Sequence, residues 1–318
     1  MLSFYLHKEY GFDVNDIIVS DIVKYLHVFA DDPPYIETNC IHAIVCAMPR
    51  CASTFMTQCI SFALDFPFVS FYETARKNIF LQRAGCDGNS PERTIGVSQN
   101  LYIPNLVQTF LQEKSTVGHH HIIANLQTIK AIKSTNGIVP IVMTRNVPDS
   151  LISIRDELLS HDTALTDGGY WQSFSNYAYI FPFFSKPFAD KFRDMPLEEQ
   201  LDVLIDYFLP WYFSFITSWS DFDKNCDADF CWVHYDEILN DEKSVVKKVC
   251  AHLGKSVDDE TADAAIERVK KAYPFQYNVG KSGRGAAIFS KSQLSTIRNK
   301  AELFLSHDHR LMVKFMGL

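Results

Sequence analysis

Apolar and polar positions alternate along the chain in blocks that read as successive strands and helices. Residues 14–30, VNDIIVSDIVKYLHVFA, carry apolar side chains at helical spacing, and Asp31-Asp32-Pro33-Pro34 stops that element. Ile41 to Met48 is almost continuously apolar, rich in β-branched residues and bounded by Pro49, which predicts a buried strand of a parallel sheet. A short polar turn follows, and Thr54 to Leu64 reads as a helix. The same plan recurs from Ile138 to Ser160, with IVPIVMT as strand, RNV as turn and Pro148 as an acceptable first helical residue. A third apolar run, Phe230 to His234, precedes YDEILND and a charged helix expected to end near Leu253-Gly254. Strands alternating with helices predict an α/β layered fold with a mostly parallel central sheet flanked by helices. No repeat or flexible linker divides residues 1–318, so a single domain is expected. The aromatic-rich stretch at 160–220 is too long for a simple crossover and is expected to form a helical insertion covering a substrate.

Composition narrows the class. Acidic residues outnumber basic ones, 38 to 30 in 318, for a formal charge of −8, which argues against a protein that coats nucleic acid. No apolar run is long enough to span a bilayer, and the N-terminus lacks a signal-peptide layout, so a soluble cytoplasmic protein is expected. The eight cysteines are scattered without a C-x-x-C pair, which speaks against a disulfide framework and against zinc.

Candidate chemistry sits in the two strand-to-helix turns. Pro49-Arg50-Cys51-Ala52-Ser53-Thr54-Phe55 joins backbone amides at a helix start to an Arg and two hydroxyls, a setting for a phosphate. It is not a Walker A loop, and by itself it is equally compatible with a turn in which Ser53 merely caps the helix. In the second turn, Arg145 ends a strand and Ser153 lies eight residues on, within the next helix. Ligands of open α/β sheets bind beyond the carboxyl ends of the strands, so both turns can face one crevice. Alternatively, Arg145 is an ion-pair partner and Ser153 a solvated helix residue.

In this order the two turns resemble those of the sulfotransferases that use 3′-phosphoadenosine 5′-phosphosulfate (PAPS), a P-loop-like three-layer family. The family's P-[RK]-x-G-[ST]-T-[WFY] loop holds the 5′ phosphosulfate, which here implies Arg50, Cys51, Ala52, Ser53, Thr54 and Phe55 as cofactor-binding residues. Phe55 would stack on the adenine. Ala52 stands where the family usually has Gly, a mild departure at negative φ and a costly one at positive φ. The family's Arg and Ser, eight residues apart, hold the 3′ phosphate, which implies the same for Arg145 and Ser153.

Three further segments fit the resemblance. Gly118-His119-His120 lies where the cytosolic branch has a K-T-H-like segment, which makes His120 the first candidate for the general base and His119 the second. Three consecutive histidines are also compatible with adventitious metal binding or with polar strand-end residues. Tyr235 falls in a segment that in the family lies near the adenine, although a core tyrosine at a strand end reads the same way. Lys281-Ser282-Gly283-Arg284-Gly285 takes the place of the C-terminal phosphate loop, which implies Lys281, Gly283, Arg284 and Gly285 as cofactor-binding residues. Without the family, that stretch would read as a flexible surface loop.

The resemblance implies in-line transfer of a sulfuryl group to a hydroxyl or amine of a small molecule such as a natural product of secondary metabolism. The released product would be 3′,5′-bisphosphoadenosine, no metal would be needed, and Arg50 would stabilise charge on the leaving phosphate. The alternatives are a small-molecule or nucleotide kinase of P-loop type, for which the loop lacks a Lys, and a non-catalytic nucleotide-binding protein.

Overall fold

A computed structural model describes residues 37–69, 114–133, 135–160, 191–225, 230–272, 280–305 and 315. The helix expected at 14–30 and the part of the aromatic insertion at 161–190 lie outside these residues.

A four-stranded parallel sheet organises the described chain. The strands are β1 (His42–Ala47), β2 (Thr116–His120), β3 (Ile138–Thr144) and β4 (Cys231–His234), in the spatial order β2-β1-β3-β4. All six residues of β1 are buried, as a near-continuous apolar sequence requires of a strand flanked on both sides, with His42 the polar exception. Pro140 is tolerated inside β3 because pairing with β4 begins only at Ile141↔Cys231, so the missing donor falls where that flank carries no ladder.

Helix α1 (Ser53–Leu64) follows β1, α2 (Leu126–Lys133) follows β2, and α3 (Val147–Ser160) follows β3. Two helices of the aromatic segment come next, α4 (Leu197–Tyr207) and α5 (Leu209–Asn225), and lead into β4. The remaining helices are α6 (Tyr235–Asn240), α7 (Glu242–His252), α8 (Asp259–Ala272), α9 (Arg284–Ile288) and α10 (Lys291–Leu305). The charged helix expected to end near Leu253-Gly254 is α7, and the YDEILN before it forms a short helix of its own, α6. The chain breaks at Asp241, whose extended backbone ends α6 and whose Oδ1 accepts from Ser244 N at 3.0 Å to cap α7. Helices α1, α7 and α8 pack on one another, and α3 packs on α4, α5 and α9, so the sheet is layered with helices in an α/β architecture.

The aromatic segment is core where it is described. Tyr212, Phe213, Phe215 and Trp219 are buried, at the helical spacing that brings one face of α5 inward. Two of them also fasten loops of the sheet: Trp219 Nε1 donates to Ile122 O at 2.8 Å, and Tyr212 OH donates to Pro49 O at 3.2 Å. Among the described residues no helix is long and apolar enough to cross a membrane.

Register sets where the loops emerge. Cys46 pairs with His120, Ala47 with Met143 and Thr144 with His234, so the four strands end along one edge of the sheet. The turns after β1 and β3, His121 and Tyr235 all leave from that carboxyl edge, where α/β folds bind ligands.

Candidate functional site

Between β1 and α1 the chain turns sharply. Arg50 and Ala52 take positive φ, 67° and 66°, while Cys51 between them does not. Such alternation turns consecutive amides toward a common centre, the backbone form of an anion nest. Ala52 is thus the costly case of the departure from glycine, a left-handed residue with a Cβ that caps α1 without a side-chain bond.

The side chains of this loop divide. Cys51 is fully buried, with its thiol 3.7 Å from Met143 O, and burial pushes its pKa up to about 12. It therefore offers the site its backbone and not its sulfur. Phe55 packs into the core with 7% of its surface exposed, so only its rim is left for stacking. Ser53 is buried and Thr54 half-buried at the start of α1. Arg50 extends across to α3, where Nε donates to Ser153 Oγ at 3.2 Å and the guanidinium pairs with Glu157 at 2.6 Å.

Arg145 is the junction of three segments. One guanidinium nitrogen donates to Arg50 O at 2.9 Å and the other to Lys281 O at 3.2 Å. The guanidinium carbon lies 4.1 Å from the centroid of the Tyr235 ring, a cation–π contact inside the protein. The residue is 5% exposed, and its Nε is buried with no hydrogen-bond partner among the described residues. A buried guanidinium with an unsatisfied donor can accommodate an anionic acceptor. Burial raises the pKa of Tyr235, so its ring faces Arg145 as a neutral phenol.

Across the crevice, the 281–285 loop is fastened to α3. Asp149 Oδ2 accepts from Gly283 N at 2.7 Å and from Ser282 Oγ at 3.2 Å, and its Oδ1 accepts from Gly285 N at 2.6 Å. The amides of Gly283 and Gly285 are thereby bonded to a carboxylate at the start of α3. Gly285 is required sterically, because a Cβ there would stand 2.4 Å from Pro148 Cβ and 2.6 Å from its carbonyl carbon. Gly283 is required conformationally, at φ 82°. Arg284 pairs with Asp156 of α3 at 2.5 Å.

The histidines differ among themselves. His120 is buried, and burial together with its two neighbours lowers its pKa well below the usual value. Burial lowers His119 to about 4, and its Nδ1 has no hydrogen-bond partner among the described residues. His121 lies just past the end of β2, where its Nδ1 meets Ala47 O at 2.7 Å, one residue before Met48 and the loop that carries Arg50. Burial, the neighbouring His119 and Arg50 bring it down to about 3, while the bond to Ala47 opposes them. A ring that donates from Nδ1 keeps its lone pair on Nε2. His121 is thus held at the end of β1 and feels the charge of Arg50. Among the described residues no group of three His, Cys, Asp or Glu is placed to hold a metal ion.

The site thus joins Arg50, Ser153, Arg145, Tyr235, Lys281 and Arg284. Reading the sequence did not single out Asp149, Asp156, Glu157 or Tyr212, while it carried His121 as the third member of the histidine run. Of the four, Asp149 left a signal as an acidic residue in the first turn of α3.

No protein-family model matches the sequence, and no curated protein matches it. Solved structures do match. The mouse sulfotransferase SULT7A1, complexed with PAP, aligns at a TM-score of 0.51 over 90% of this chain and 90% of that one, with 11% identity. Retinol dehydratase in complex with androsterone and the inactive cofactor PAP aligns at 0.45, with 10% identity over 92% of this chain and 86% of that one. The sulfotransferase domain of the Synechococcus PCC 7002 olefin synthase aligns at 0.45, with 13% identity over 86% and 97%. At 11% identity, the match to the mouse enzyme establishes the architecture: this chain has the fold of a sulfotransferase.

Proposed function

We propose that this chain is a PAPS-dependent sulfotransferase acting on a hydroxyl or amine of a small-molecule acceptor. The observation that carries the reading is Arg145: buried, short of one acceptor, stacked on Tyr235, and joined by hydrogen bonds to both the Arg50 loop and the 281–285 loop. Arg50, Arg145 and Arg284 bring three guanidinium groups to this end of the sheet, a donor set that fits a nucleotide carrying two separate anionic groups.

In this reading Arg145, Ser153 and Arg284 hold the 3′ phosphate. Arg50, the Ser53 and Thr54 hydroxyls and the amides at 50–52 hold the 5′ side. The donor, when bound, supplies an activated sulfuryl group and is left as 3′,5′-bisphosphoadenosine. The loop's fixed amides and the Arg50 guanidinium stabilise negative charge where it develops, without reorganising at that moment. His121 Nε2 receives the acceptor's proton, because burial keeps the ring neutral at pH 7 and the Ala47 carbonyl fixes its tautomer.

Calorimetric titration tests this directly. Binding of 3′,5′-bisphosphoadenosine without Mg²⁺, much weaker binding of 5′-AMP, and loss of the preference in Arg145→Ala are expected. A requirement for Mg²⁺ with a preference for ATP would replace this reading by a kinase.

A further inference from the structure

Asp149 is the first buried acid of α3, 1% exposed, and both of its oxygens are taken by the 281–285 loop. The partners are separated by more than a hundred residues in sequence, so nothing local brings them together: 133 for Ser282, 134 for Gly283 and 136 for Gly285. Two of the three donors are backbone amides, which makes the clamp specific for the path of the loop and not for its side chains. The contact is also tight, because Gly285 packs against Pro148 where a methyl group would collide with backbone. A carboxylate that accepts three hydrogen bonds in a buried site fixes its partners strongly, since each amide released there loses its acceptor.

The loop so fixed presents two groups to the site. Its Lys281 carbonyl takes one Arg145 nitrogen at 3.2 Å, and its Arg284 reaches Asp156 at 2.5 Å. Without the clamp Arg145 loses one of its two hydrogen bonds and Arg284 its fixed position, while Arg50 and the loop after β1 keep theirs through Ser153 and Tyr212. We propose that Asp149 is a positioning residue that sets discrimination for the 3′ phosphate by holding the 281–285 loop against α3. The inference rests on the nucleotide reading above. It concerns selectivity between nucleotides, not the transfer step.

The experiment compares wild type, Asp149→Asn, Asp149→Ala and Gly285→Ala by calorimetry with 3′,5′-bisphosphoadenosine and with 5′-AMP, alongside amide hydrogen exchange without ligand. Gly285→Ala displaces the loop without touching the carboxylate, so it serves where the Asp149 variants fold poorly. In Asp149→Ala and Gly285→Ala the preference for the bisphosphate is expected to fall about 10- to 100-fold, with 5′-AMP affinity within about two-fold of wild type. Asp149→Asn, which keeps one accepting oxygen, falls between. Exchange of the Gly283 and Gly285 amides accelerates while that of Ile152 in α3 does not. Equal weakening of both nucleotides, or an unchanged preference, overturns the role assigned to Asp149. Wild-type protein that does not distinguish the two nucleotides overturns the nucleotide reading instead. The clamp itself is then overturned if Gly283 and Gly285 exchange as fast in wild type as in Asp149→Ala.

Discussion

Arg50 Nε donates to Ser153 Oγ at 3.2 Å, so a residue of the loop after β1 lies directly against the second turn of α3. The resemblance assigns these two residues to opposite ends of a nucleotide, yet here they touch. Glu157, one turn further along α3, completes the arrangement by pairing with the same guanidinium at 2.6 Å.

That carboxylate competes with an incoming phosphate for Arg50. Neutralising it in Glu157→Gln is expected to tighten binding of 3′,5′-bisphosphoadenosine about 2- to 5-fold, the scale of a partly exposed ion pair. Titration at two salt concentrations checks this, and weaker binding in the variant would mean that Glu157 orients Arg50 instead.

Ala52 holds a left-handed conformation with a Cβ, at φ 66°. Ala52→Gly removes that strain but makes the unfolded chain more flexible, and the net effect is expected to stabilise the fold by about 1 kcal/mol. Urea denaturation measures it, and a lowered midpoint would show the loop to be unstrained.

His121→Ala is expected to lower kcat by about 10²- to 10⁴-fold and leave bisphosphate affinity unchanged, as removal of a general base should. His120→Ala, by contrast, opens a cavity beside β1 and acts on stability. Because His121 is held near 3, the rate should show no inflection near pH 6.5 from this residue. A loss of rate confined to His120→Ala would restore the earlier order.

Buried neutral histidines also couple the fold to pH. His42 is fully buried, bonded through Nδ1 to Thr116 Oγ1 at 3.0 Å, and burial lowers it to about 4 from 6.5. The folded state resists protonation that the unfolded chain accepts. Its contribution is therefore complete above pH 6.5 and is lost as pH falls toward 4, by roughly 3 kcal/mol. Urea midpoints at pH 7, 5 and 4 should fall steeply in wild type and less steeply in His42→Phe.

Much of this architecture was legible along the chain. The β-branched runs at 41–48 and 138–144 became β1 and β3, and Ser53–Leu64 formed the helix expected one residue later. Arg145 and Ser153 were legible as well, because a strand end and the following helical turns are local features whose spacing fixes which side chains leave one edge. YDEILND was set apart from the charged helix after it, and Asp241 is where α6 gives way to α7.

What tertiary structure alone decided lies in contacts between distant segments. Whether Ala52 would be strained depended on the path of the turn from β1 into α1, not on the letter in the motif. That His121 meets the Ala47 carbonyl, 74 residues away, could not be read from the run of three histidines. Asp149 was invisible as a clamp because its partners are glycine amides 134 and 136 residues on, and a backbone donor has no signature in sequence. Local pattern determined the strands, the helices and the residue types at the sheet's edge. Which of those residues bind one another followed only from the packing that brought the loops together, since hydrogen bonds of this kind form across space and are not encoded in spacing.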